Sequence, residues 1–108
     1  MKMFLNALRG IVISLRNERN IRIHTLLAVV AIVFGIIFNL NMGIVLLLIG
    51  SVLSSEMLNT SIESMCDLIH PDESEDVKNI KDIAAGAVLV NATISVLIGL
   101  YLVFWGKR

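Results

Sequence analysis

The chain has one cysteine, Cys66, one proline, Pro71, and charged side chains at only 17% of its 108 positions. A single thiol excludes an intrachain disulfide, and with His24 and His70 isolated in the sequence there is no Cys/His spacing for zinc. Nine basic residues balance nine acidic ones, so no net positive charge points to a nucleic-acid partner. Neither a G-x-x-x-x-G-K-[ST] phosphate loop nor a protein-kinase signature is present. No internal repeat and no low-complexity tract occurs. The N-terminus also lacks a short apolar core followed by a small-residue cleavage site, so the first apolar segment is expected to stay in the mature protein.

What the chain has is apolar sequence: 56% hydrophobic residues and a mean hydropathy of +0.84. That is far above a soluble domain of this size. A helix crossing a ~30 Å hydrocarbon core needs about 20 mostly apolar residues. Three segments meet this length, at about 21–38, 42–61 and 83–105. Ahead of them Phe4, Leu8, Ile11 and Leu15 recur at helical spacing, with Lys2, Asn6, Arg9 and Arg16 on the other side and Ile13 interrupting the polar face. This pattern predicts an amphipathic helix over about 3–19 lying on the membrane surface. The expected fold is therefore all-α, a single domain over 1–108 with one surface helix and three transmembrane helices.

Seven basic residues (Lys2, Arg9, Arg16, Arg19, Arg22, Lys78, Lys81) flank one side of this arrangement, and two (Lys107, Arg108) the other. The positive-inside rule then puts the N-terminus and the 68–82 connection in the cytosol and the C-terminus outside. The link at Asn39-Leu40-Asn41 is short, so the first two spans should form an antiparallel hairpin. The segment HPDESEDVKNIK reads as a solvated turn region.

The chemistry concentrates in SSEMLNTSIESMCD, residues 54–67, which follows the uncharged run MGIVLLLIGSVL. Glu56, Asn59, Glu63 and Asp67 are spaced by three, four and four, so they share one face of a helix within about 80° of its circumference. Glu56 lies about 21 Å from Met42 along the helix axis, still inside the hydrocarbon. An acid there costs roughly 2.5–3.5 kcal/mol to insert and commonly marks function. A helix that simply leaves the membrane at Glu56, with a solvated stripe, is the plainer explanation.

Glu18, at 100° per residue, projects on the side of Ile11 and Leu15, where either Arg22 at i+4 or a metal ion would serve as partner. Lys81 and Asp82 are brought to the same cytosolic level by the topology. Carboxylates facing one another beside a lysine suggest a divalent cation arriving with a polyanion, because magnesium typically takes one or two carboxylates plus substrate phosphates. The set reads as a phosphoryl-transfer site.

At these positions the sequence resembles the small integral-membrane lipid kinases of bacteria, the diacylglycerol kinase and undecaprenol kinase family. The resemblance rests on E-x-x-N-T-x-I-E-x-x-x-D from Glu56 to Asp67, on K-D before A-A-x-A-V-L from Lys81 to Leu89, and on A-x-x-G…E-R-N-x-R-I-H from Ala7 to His24. It covers nearly the whole chain. The E-R-N-x-R-I-H stretch and short N-terminus are more similar to the undecaprenol kinase branch than to the diacylglycerol branch.

The resemblance implies a homotrimer in the bacterial cell membrane with sites between subunits, ATP as phosphoryl donor, Mg2+ as cofactor and a lipid alcohol as substrate. It also implies roles: Glu56 as the general base, Glu18 and Glu63 as holders of magnesium with ATP, and Asn59, Lys81 and Asp82 ordering the nucleotide phosphates. Asn6 on the surface helix and Glu73 in the acidic loop are further candidates for nucleotide contact, with Asp67 and Arg22 in support. Two readings without kinase chemistry remain from the residues alone, a small membrane transport subunit and a structural subunit with a salt-bridged stripe.

Overall fold

The computed structural model describes residues 2–70, 72 and 74–106. Four helices follow in order: α1 (Lys2–Asn17), α2 (Arg19–Ile37), α3 (Met42–Ile69) and α4 (Glu75–Phe104). The last three are long and apolar enough to cross a membrane. α3 lies between α2 and α4, packing most extensively on α4, and α1 touches α2. Val77, Ala84 and Val88 are the buried residues of the first half of α4. Ala84, the first of the Ala84-Ala85-Gly86-Ala87 run, is among them, as expected where small side chains let helices approach in lipid.

The α2–α3 hairpin is built by three local devices. Asn39 takes a left-handed φ of 56°, a conformation asparagine tolerates better than most residues. This reversal lets Asn39 N–H donate to Ile36 O (3.3 Å) and Leu40 N–H donate to Gly35 O (2.9 Å), closing the carbonyl end of α2. Asn41 then starts α3, its side-chain oxygen accepting from Ile44 N–H at 3.3 Å. Gly35 is buried where the helices meet: a Cβ there would stand 2.9 Å from Met42 Sδ. Leu40, Val45 and Leu102 form a small buried cluster at this end, with Met42, Ile49 and Ile98 packed against it.

The opposite end carries the acids. The break between α1 and α2 falls on Glu18, whose extended backbone (φ −111°, ψ 111°) caps α2. Arg22 bridges the joint, its Nη1 donating to the carbonyls of Leu15 (3.2 Å) and Arg16 (2.9 Å). A cation there satisfies orphan carbonyls and complements the C-terminal dipole of α1. Of the two partners expected for Glu18, Arg22 or a metal ion, Arg22 is thereby engaged elsewhere. The i,i+4 geometry requires one continuous helix, and the helix is interrupted at Glu18, so the guanidinium turns back to α1 instead.

No residue of α1 is buried, and its apolar side chains Phe4, Leu8, Ile11 and Leu15 are exposed in the isolated chain. That uncovered stripe is what a helix embedded in a headgroup layer requires. The segment HPDESEDVKNIK is less of a loop than its composition suggests. Ser74 caps α4 by accepting from Val77 N–H (3.2 Å), and Glu75 and Asp76 occupy the first turn, where their charge favours the helix dipole. Likewise α3 continues eight residues past Ser61, carrying the acidic stripe on helix to its end.

Candidate functional site

A polar cavity of ≈ 200 Å³ opens at the acidic end, lined by Glu18, Asn20, Glu56, Asn59, Thr60, Glu63, Ser64 and Asp67. The four stripe residues of α3 all reach it, and the interrupted backbone at Glu18 turns that carboxylate in from the α1–α2 joint. Glu56 is 8% exposed and is the one buried charged residue among those described. Glu63 and Asp67, further along the same helix toward its end, are exposed.

Asn59 organises the centre of the stripe. Its Nδ2 donates to Glu63 Oε1 at 2.9 Å, which fixes the carboxylate one turn along. Its Oδ1 is buried with no hydrogen-bond partner. Buried polar atoms are seldom left so, and an acceptor in this state suits a cation or a donor group delivered by a ligand. The oxygen-only donors around it, Glu18, Glu63 and Asp67, match a hard divalent cation better than a soft one. Among the described residues no three His, Cys, Asp or Glu groups lie close enough to hold a metal by themselves. Two carboxylates completed by phosphate oxygens are sufficient for magnesium.

Lys81 reaches the rim of this cavity: its Nζ lies 2.6 Å from Asp67 Oδ1. Asp82 does not line it and pairs instead with Lys78 at 2.8 Å on an exposed face of α4. Asn6 is exposed on α1, outside the cavity lining. Glu73 lies outside the described residues.

Three further groups, Asn20, Thr60 and Ser64, belong to the lining but not to the sequence candidates. Thr60 and Ser64 stand four and eight residues beyond Glu56 and so continue its own row on the helix. His24 is a fourth group the sequence candidates lack, its Nε2 lying 3.6 Å from Glu56 Oε1. Hairpin counting would have found it, because His24 and Glu56 are each sixteen residues from Leu40.

Residues 5–103 match the family described as prokaryotic diacylglycerol kinase. The chain is 43% identical over 109 residues to an undecaprenol kinase of Bacillus subtilis, covering 98% of this chain and 88% of that protein. It is 36% identical over 100 residues to a diacylglycerol kinase of Synechocystis sp., covering 89% of this chain and 57% of that longer protein.

Proposed function

This chain belongs to the prokaryotic diacylglycerol kinase family and is a lipid kinase, and we propose that it transfers the γ-phosphoryl group of ATP to the hydroxyl of undecaprenol at the cytosolic membrane face. The observation that carries the reaction is a buried carboxylate, Glu56, sharing one cavity with Glu18, Glu63 and the unpartnered oxygen of Asn59. Undecaprenol is favoured over diacylglycerol by the 43% identity to the Bacillus enzyme against 36% to the Synechocystis one, and by coverage of most of the former's length.

Phosphoryl transfer asks little covalent help of a protein; it needs in-line positioning and relief of charge. Glu56, deepest of the acids in the bilayer, is the base: the acceptor O–H bond breaks and its proton passes to the carboxylate. The acceptor oxygen bonds to the γ-phosphorus as the bond to the β,γ-bridging oxygen breaks, and ADP leaves with that electron pair. Glu18 and Glu63 would hold Mg2+, which would supply positive charge to offset that of the triphosphate. Asn59 keeps Glu63 in place, and Lys81, beside Asp67 at the rim, meets the phosphates.

We assign the working unit as a homotrimer with sites between subunits. The cavity is lined from the α1–α2 joint and α3 alone and Asp82 is not in that lining, so α4 of a neighbouring copy is the proposed source of an Asp82 contribution. A lone three-helix chain also leaves the apolar faces of α2 and α4 open. The excess of basic residues near α1, the α1–α2 joint and the start of α4 supports a topology with these in the cytosol and the C-terminus outside.

A detergent assay with ATP and magnesium, comparing undecaprenol with diacylglycerol, tests this reading. Faster turnover of undecaprenol is the expected result. A preference for diacylglycerol would transfer the assignment to that lipid, and phosphate transfer to neither would overturn it.

A further inference from the structure

Glu56 has a neighbour on the adjoining helix that no role yet explains. His24 approaches it to 3.6 Å, Nε2 to Oε1, with side chains 29% and 11% exposed. The approach is enforced by the hairpin. Because both residues stand sixteen positions from Leu40 and each helix rises about 1.5 Å per residue, antiparallel packing sets them at one depth. The turn that fixes this register is closed by the Leu40–Gly35 and Asn39–Ile36 hydrogen bonds and capped by Asn41.

His24 also stands between two unlike spaces. Glu56 lines the polar cavity. His24 lines an apolar groove of ≈ 490 Å³ that runs from it past Leu27, Ala31 and Phe34 toward Leu102, and it is the one titratable side chain in that lining. The His24–Glu56 contact is thus the point where apolar and polar spaces meet. A lipid alcohol has this same division, with an apolar body and one hydroxyl that must reach the base.

A glutamate has three side-chain torsions, and a base that wanders by an ångström loses rate steeply. At 3.6 Å the imidazole is not yet hydrogen-bonded, but catalytic hydrogen bonds are often long before substrate is bound and tighten in the complex. We propose that His24 is a positioning residue for Glu56: its Nε2–H fixes one carboxylate oxygen so that the other is presented to the acceptor hydroxyl at the boundary of groove and cavity. This rests on Glu56 being the base.

The test uses the full chain in detergent with His24→Leu, His24→Gln and His24→Asn, measuring kcat, KM for ATP and magnesium-dependent thermal stabilisation by ATP. His24→Leu should lower kcat by about tenfold to a hundredfold, with KM for ATP and the stabilisation unchanged. His24→Gln, whose amide nitrogen lies near the place of Nε2, should recover most of the rate; His24→Asn, whose amide lies near Nδ1, should not. Wild-type kcat in His24→Leu, or equal rates for the Gln and Asn variants, overturns the inference while leaving the kinase reading intact. Should His24→Leu fail to fold, the Gln and Asn comparison decides. A wild-type protein that phosphorylates neither lipid overturns both.

Discussion

The Lys81 ammonium lies 2.6 Å from Asp67 Oδ1 and ties the first turns of α4 to the last turns of α3. The Asp67 side chain is 66% exposed, so the pair sits in a high dielectric, where such contacts contribute at most about 1 kcal/mol. Stability is therefore a weak reason for Lys81 to be there. Lys81→Gln is expected to raise KM for ATP several-fold while thermal unfolding in detergent moves little. Asp67→Asn should likewise leave unfolding almost unchanged.

Glu18 and Glu63, the proposed holders of magnesium, come from different elements, the α1–α2 joint and α3. Glu63→Gln should raise the magnesium concentration giving half-maximal ATP-dependent stabilisation by roughly tenfold, equivalent to about 1.4 kcal/mol. Glu18→Gln should act in the same direction. Titration of thermal shift against magnesium at fixed ATP reads both. Unchanged midpoints in both variants would remove them from the metal site.

The left-handed backbone at Asn39 makes the hairpin sensitive to what stands there. Asn39→Val should destabilise the folded protein by about 1–2 kcal/mol, because a β-branched residue is strained at positive φ. Asn39→Gly should be neutral or slightly stabilising. Unfolding in a mixed-detergent titration distinguishes the two.

Half-way along the spans, Asn91 Nδ2 donates to Ser51 O at 3.0 Å and Asn91 Oδ1 accepts from Ser51 Oγ at 3.1 Å, joining α4 to α3. These bonds pair the Asn91 side chain with Ser51 across the helix interface. Interhelical hydrogen bonds of this kind average about 0.6 kcal/mol and reach about 1.7. A Ser51→Ala/Asn91→Ala double-mutant cycle should return a coupling in that range with activity retained. Loss of turnover at full stability would give this pair a functional part.

Much of this was legible in the residues. Hydropathy marked three spans, and the three-four-four spacing from Glu56 to Asp67 marked one wall of the cavity, because both signals depend on helical periodicity within a single element. What failed crossed an element boundary. Helical spacing through Glu18 assumes that α1 continues there, whereas the break, which neither glycine nor proline announces, turns Arg22 back to α1 and leaves the metal ion as the remaining partner considered for Glu18. The acids of HPDESEDVKNIK suggested solvent, yet Ser74 followed by Glu75 and Asp76 is equally a helix start. His24 reads as an isolated histidine in the sequence because its proximity to Glu56 depends on register across the hairpin, which hydropathy does not report.

As the proposed base, Glu56 performs chemistry rather than holding the nucleotide or the fold. Glu56→Gln is nearly isosteric and removes the basic oxygen, so turnover and nucleotide binding measured on one preparation separate these roles. We predict no detectable phosphate transfer to lipid, with magnesium-dependent thermal stabilisation by ATP close to that of the wild type. Turnover near the wild-type rate, or loss of ATP stabilisation together with activity, would contradict it.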